Sequence, residues 1–101
     1  MSVDTEIVLD EKISLDVKEP KKYKVLFLND NGTPMEFVID VLQKIYKHTF
    51  ETASDITMKI HNEGSGIVGV YSYEIAEMKA SETINLARNQ GFPLNVKIEE
   101  E

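Results

Sequence analysis

The sequence predicts a small α+β domain, β-α-α-β-α-β in chain order, with three helices packed on a three-stranded antiparallel sheet. Apolar residues at Val38, Val41, Leu42 and Ile45 recur at helical spacing, whereas Leu94, Val96 and Ile98 alternate at strand spacing. Turn-forming residues (Asn29 to Gly32, Gly64, and Gly91-Phe92-Pro93) separate these runs. Three short strands make a sheet too small to bury both faces, so the helices gather on one.

The first strand is Tyr23-Lys24-Val25-Leu26-Phe27-Leu28, rich in β-formers and apolar on both faces. It runs into Asn29-Asp30-Asn31-Gly32. Asn31-Gly32 suits a type I′ hairpin, but the residues that follow have a helical period, which rejects that reading. A calcium loop fails too: with Gly32 at the loop's glycine, Phe27 falls on the first ligand position. The next helix has strong start signals. Thr33 suits the N-cap, Pro34 suits the first helical position, and Glu36 is placed to reach back to the Thr33 amide as a capping box. The spacing predicts a helix over about 34–47, with Lys44, Lys47 and His48 complementing the dipole at its end.

Thr52-x-x-Asp55 reads as the start of a second helix, with Ile56 and Ile60 inward, His61 in the last turn and Gly64 just past its end. Gly66 to Tyr71 is a second strand whose glycines permit close backbone approach. Ser72 caps a third helix with Glu74 and Glu77 near its start. Ala76, Ala80, Thr83, Ile84 and Ala87 form a narrow stripe suited to lying close on a sheet. Gly91 ends that helix, and Leu94 to Ile98 is the third strand.

At 101 residues and 42% apolar, the chain can build one modest core. Its charge of −7 is uneven. Residues 1–19 hold six acids against two lysines, Glu99, Glu100 and Glu101 close the chain, and residues 20–98 are neutral overall. The acidity belongs to the ends. Residues 1–20 therefore read as a flexible N-terminal extension that orders on a partner, and 21–101 as the folded domain. No basic stripe is present, and acidic ends repel phosphate, which argues against nucleic acid. Lys21-Lys22-Tyr23-Lys24 is an isolated basic run at a strand entrance, where a solvated cluster is the ordinary reading. No apolar run has membrane-spanning length and no signal-peptide pattern follows Met1, so a cytoplasmic protein is expected.

Catalytic chemistry finds little to work with. There is no cysteine, and the two histidines, His48 and His61, lack metal-ligand spacing. Gly64-Ser65-Gly66 lacks the length and the lysine of a phosphate loop, and no serine lies in a nucleophile-elbow context. A binding module without cofactor or metal is the expectation, not an enzyme. Asn29, Asp30 and Asn31 stand beside the apolar helix positions Met35 and Val38, the makings of a small recognition pocket. Each residue also has a plainer reading: His61 as a dipole-complementing surface residue, Met35, Val38 and Ile60 as core, and Asn29 as a turn former.

Tyr23-Lys24-Val25, Asn29-Asp30 and Thr33-Pro34-Met35-Glu36-Phe37-Val38 together resemble ClpS, the bacterial adaptor family of the ClpA–ClpP protease. His61, Gly69-Val70-Tyr71, the Glu74 to Lys79 spacing and Pro93-Leu94 extend the resemblance over about residues 21–98. It implies a fold related to the C-terminal domain of a ribosomal stalk protein. It also implies recognition of N-degrons, proteins that begin with Leu, Phe, Tyr or Trp, and their delivery to a ClpA-type unfoldase. By that resemblance Asn29, Asn31 and His61 receive the α-ammonium. Met35, Val38, Thr57, Ile60 and Leu94 line the pocket for the first side chain, with Met35 as gatekeeper against β-branched residues. Asp30 and Thr33 belong to the adjoining turn, and Glu74 and Lys79 contact the unfoldase's N-terminal domain. On position alone, Glu74 is a good first-turn acid and Lys79 an ordinary surface lysine. The rival within the same topology is a stalk-type interaction domain, which has no use for a free N-terminus.

Three positions depart from the family pattern. Asn31 stands where an aspartate is usual, which replaces a charge–charge pair with the ammonium by a charge–dipole pair and weakens binding by on the order of 1 kcal/mol. Gly32 stands where a bulky residue is frequent, which is expected to loosen the turn. Thr57 stands where methionine is common, which is expected to make the pocket floor smaller and more polar. Asn31-Gly32 is also a sterically open pair, expected to deamidate on aging.

Overall fold

A computed structural model describes residues 20–101. The N-terminal extension, residues 1–19, lies outside the described residues. The described chain runs β1 (Tyr23–Leu28), α1 (Met35–Lys44), α2 (Phe50–Glu63), β2 (Ser65–Tyr71), α3 (Tyr73–Asn89) and β3 (Asn95–Glu100). The sheet order is β2-β1-β3, with both pairings antiparallel. The element order and the three-stranded antiparallel sheet are those the periodicities predict.

Strand β1 is central and hydrogen-bonded along both edges. Val25 and Phe27 point into the core and are fully buried, opposite Ile98 and Val96 of β3. Helix α3 crosses all three strands on that face, and α1 packs beside α2. The small-residue stripe predicted for the third helix is what permits this approach: Ala76, Ala80, Thr83 and Ala87 are buried. Phe27 and Tyr46 meet edge to face, their ring centres 5.5 Å apart, in the preferred aromatic geometry.

The pairing of β1 with β2 is irregular. Val25 faces Gly69 and Leu26 faces Ile67, so Val68 is an extra residue on β2. Its carbonyl is turned to His48, whose Nε2 lies 2.6 Å away. A carbonyl only accepts, so Nε2 carries the hydrogen.

The helix starts differ from expectation. The Thr33–Glu36 capping box does not form: α1 begins at Met35 with Pro34 in extended backbone at its N-cap, and the Thr33 hydroxyl donates to Asp30 Oδ2 at 3.0 Å. Proline restricts the residue before it, and the Thr33 hydroxyl is oriented toward the Asp30 carboxylate, to which it donates. Helix α2 starts at Phe50, earlier than predicted. Its cap is Thr49, whose hydroxyl accepts from Thr52 N–H at 3.1 Å, so Thr52 is inside the helix rather than before it. Ser72 occupies the N-cap of α3 as expected, but its side chain makes no capping bond.

Helix α1 also stops early, at Lys44. Lys47 follows in left-handed backbone, φ 63°, and His48 N–H returns to Leu42 O at 3.0 Å. The Lys79 ammonium from α3 takes Ile45 O at 2.7 Å, providing a cation where the carbonyl end of α1 favours one. Lys79 is half-buried, 5.3 Å from the ring centre of Tyr71 and 5.8 Å from that of Tyr46. It is no ordinary surface lysine. One turn further along α3, the Thr83 hydroxyl donates to Lys79 O at 2.7 Å. Its hydrogen is thereby used, so in the 2.9 Å contact between Tyr46 and Thr83 the tyrosine is the donor.

Burial pushes the Tyr46 phenol up to about 12 from its ordinary 10.0. The folded state thus favours the protonated phenol. Its contribution is complete below pH 10 and is lost as pH rises from 10 through about 12. Tyr46→Phe should cost about 1 kcal/mol at neutral pH by orphaning the Thr83 acceptor. Between those pH values the stability of the variant should fall less steeply than that of the parent. Urea denaturation across that range measures both, and equal slopes would remove Tyr46 from the account.

Candidate functional site

The turn after β1 is built by one carboxylate. Asp30 Oδ1 accepts the Gly32 N–H at 2.8 Å while Oδ2 accepts the Thr33 hydroxyl, so both oxygens act within four residues of chain. One residue earlier, Asn29 N–H donates to Gly64 O at 2.9 Å, tying the turn to the end of α2. Gly64 adopts φ 94°, the left-handed cap its type predicts, and its own N–H closes on Ile60 O at 2.9 Å.

Gly32 is held from the other side. A β-carbon there would come within 2.8 Å of Pro93 Cγ, so only glycine lets the turn lie against the segment leading to β3. That segment is itself fixed. Phe92 N–H bonds Ala87 O at 2.8 Å, Arg88 Nη1 donates to Phe92 O at 2.8 Å, and the Phe92 and Phe37 rings meet edge to face at 5.0 Å. The glycine therefore tightens the turn against its neighbour instead of loosening it, reversing the expectation from its small size.

Between the turn, α1, α2 and the start of β3 lies a cavity of about 190 Å³. Asn29, Asp30, Asn31 and Thr33 border it from the turn, Met35 and Val38 from α1, Thr57, Ile60 and His61 from α2, and Leu94 from the approach to β3. All ten residues named from the sequence for the pocket and its turn thus meet at one cavity. Phe27 and Leu28 join them and were missed; the signal was that they end the strand whose next residue is Asn29. Glu74 and Lys79 do not border it. Glu74 is exposed in the first turn of α3, and Lys79 is engaged as described above.

The cavity has an apolar floor and a polar rim. Val38, Thr57, Ile60 and Leu94 are buried, and Met35, 38% exposed, stands at the edge. The Thr57 hydroxyl donates to Ala53 O at 2.7 Å, so its hydrogen is used within the helix and the floor is less polar than its residue type suggests. On the rim, Asn29, Asn31 and His61 are exposed. Among the described residues, none of their side chains has a hydrogen-bond partner. Among the described residues no lysine or arginine borders the cavity, and Asp30 adds a negative charge beside it. Two amide oxygens, an imidazole and a neighbouring carboxylate above an apolar floor suit a ligand with a cationic donor next to an apolar group. Among the described residues no group of three or more metal-ligating side chains occurs.

Residues 18–97 match the family model for the ATP-dependent Clp protease adaptor protein ClpS. The chain belongs to the ClpS family. It is 46% identical over 95 residues to the ClpS adapter of Lawsonia intracellularis, covering 94% of this chain and 84% of that one. With the ClpS adapter of Helicobacter hepaticus it shares 46% over 89 residues, 86% of this chain and 90% of the relative. A solved structure of Agrobacterium tumefaciens ClpS2 bound to L-phenylalaninamide superposes with a TM-score of 0.79 at 42% identity, covering 82% of this chain and all of that one. Members of the ClpS family are adaptors of the Clp protease, and this chain is an adaptor rather than an enzyme.

Lys79 and Glu74 differ in what they do for the ClpS fold, and stability separates them. Lys79→Ala removes a charged hydrogen bond and leaves Ile45 O without it, and should lower stability by about 1.5–3 kcal/mol. Glu74→Ala, on an exposed first turn, should change it by under about 1 kcal/mol. Urea denaturation midpoints of the two variants check this, and equal effects would contradict the structural role of Lys79.

Proposed function

We propose that this ClpS-family adaptor binds proteins whose first residue is Leu, Phe, Tyr or Trp and delivers them to a ClpA-type unfoldase in the cytoplasm. The supporting observation is the cavity itself: an apolar floor beneath three exposed acceptors that have no partners among the described residues. The α-ammonium of a free N-terminus has three donors, matched by the Asn29 oxygen, the Asn31 oxygen and a ring nitrogen of neutral His61. The first side chain enters between Val38, Thr57, Ile60 and Leu94, with Phe27 and Leu28 completing the wall. Met35 at the edge narrows the entrance against a branched β-carbon. L-Phenylalaninamide, the ligand of the Agrobacterium relative, carries the same two features, a free amine and an apolar side chain on one carbon.

Filling the pocket with Leu or Phe contributes roughly 1.5–3 kcal/mol. Each hydrogen bond to the ammonium adds up to about 1.5–3 kcal/mol before the cost of association. A dissociation constant in the micromolar range, about −8 kcal/mol, follows. Two peptides that begin with Leu, identical except that one is N-acetylated, test the reading by calorimetry. The free peptide should bind and the acetylated one should not, and His61→Ala should weaken binding at least tenfold. Equal affinity for both peptides, or binding of neither by the folded protein, would overturn it.

Delivery is assigned to other surfaces. Glu74 and Lys79 are the proposed contacts to the unfoldase's N-terminal domain, and the extension 1–19 is proposed as the segment the unfoldase engages. Because Lys79 also holds Ile45 O, its substitution mixes contact with stability. Glu74→Ala is the cleaner probe: it should weaken unfoldase binding and leave peptide binding unchanged. Loss of both together would point to damage of the fold instead.

A further inference from the structure

We propose that Asn31 is a site of spontaneous deamidation in the folded protein, by which the adaptor converts its own rim amide into a carboxylate. Asn31 is exposed in a bend outside helix and strand, and no partner among the described residues holds its amide. Gly32 follows it and has no side chain to hinder approach of its nitrogen. In the reaction the Gly32 nitrogen attacks Asn31 Cγ. An N–Cγ bond forms, the bond from Cγ to the amide nitrogen breaks, and ammonia leaves, carrying the hydrogen that the Gly32 nitrogen gave up. Water then opens the five-membered imide. Cleavage at Cγ restores the ordinary backbone as aspartate, and cleavage at the main-chain carbonyl gives isoaspartate. One water is consumed, one ammonia is released, and no redox partner is needed.

Two contacts govern the rate and the product. The Gly32 N–H is held by Asp30 Oδ1 at 2.8 Å. A carboxylate on that hydrogen disfavours its removal and keeps the nitrogen in the turn, so Asp30 restrains the reaction. On the other side Gly32 lies against Pro93, with no room even for a β-carbon. Isoaspartate lengthens the backbone between residues 31 and 32 by one carbon, which this packing opposes. The aspartate product keeps the backbone unchanged. The fold thus directs the imide toward aspartate more strongly than the unfolded chain does.

The consequence for ligand binding rests on the function proposed above. A carboxylate at position 31 faces the ammonium with a full charge and should bind a free N-terminus several-fold more tightly. The test is incubation of the full chain at mildly alkaline pH, folded and in urea, followed by intact mass and peptide mapping. A species one dalton heavier at the Asn31 peptide should accumulate in the folded sample. It should form faster in Asp30→Ala and be richer in aspartate over isoaspartate than in the urea sample. Its absence from folded protein, while the unfolded chain acquires it, would overturn the proposal. The aspartate form, isolated by ion exchange, should match Asn31→Asp in affinity for the free Leu peptide. If it binds no tighter than a parent that does bind, the functional consequence is refuted. If parent and Asn31→Asp both fail to bind, the pocket reading has failed, and the mass map still decides the modification.

Discussion

The carboxylate of Asp30 is the constraint on which the site depends. A six-residue connection between a central strand and a helix must satisfy its own backbone donors and fix the direction of the helix it launches. Asp30 does both by taking the Gly32 N–H on one oxygen and the Thr33 hydroxyl on the other. With its oxygens used this way, Asp30 is a scaffold for the rim, and Asn29 and Asn31 on either side of it are left to face outward. The neighbouring bond from Asn29 N–H to Gly64 O brings the end of α2 alongside, and with it His61 and Ile60. The β1–α1 connection and the end of α2 are thus set around one cavity by short polar contacts.

A second set of contacts does similar work at the C-terminal end of α1. Lys79 reaches back 34 residues to Ile45 O. Thr83 bonds Lys79 O, and Tyr46 bonds Thr83, so the termination of α1 is written partly in α3. This explains why α1 ends at Lys44 even though its apolar period continues to Ile45. It also means that a residue proposed to meet a partner is part of the frame, and a loss of binding at Lys79 carries two meanings.

What was legible in the sequence follows from periodicity. Val38, Val41 and Leu42 must share a helix face, and Val25 and Phe27 must share a strand face, so the core could be assigned. The resemblance carried by Thr33 to Val38 then brought together residues that spacing alone would have left as core or surface. Contacts between unlike positions were not legible. Thr49 and Thr52 are the same residue type three apart, and nothing local says which is the cap. The Thr33 hydroxyl donates to Asp30 three residues before it, a contact that competes with its role as a cap and that the capping-box pattern does not show. The extra residue Val68 is hidden in a run of glycines and valines that reads as regular strand. Gly32 looked like slack in the turn, because the proline that packs on it lies 61 residues further along the chain.

The same reasoning bears on why an amide at position 31 is compatible with a working site. A carboxylate there would stand next to Asp30, and two adjacent carboxylates in one turn repel each other unless a cation sits between them. With Asn31 the empty pocket avoids that repulsion, and the proposed ammonium ligand meets dipoles and a nearby fixed charge instead of a second anion. The arrangement favours a modest affinity and easy release, properties that suit an adaptor whose proposed task is to hand its cargo on. The proposed conversion of Asn31 to aspartate would shift that balance toward retention, and the hold of Asp30 on the Gly32 N–H would then act on ligand residence as well as on the shape of the turn.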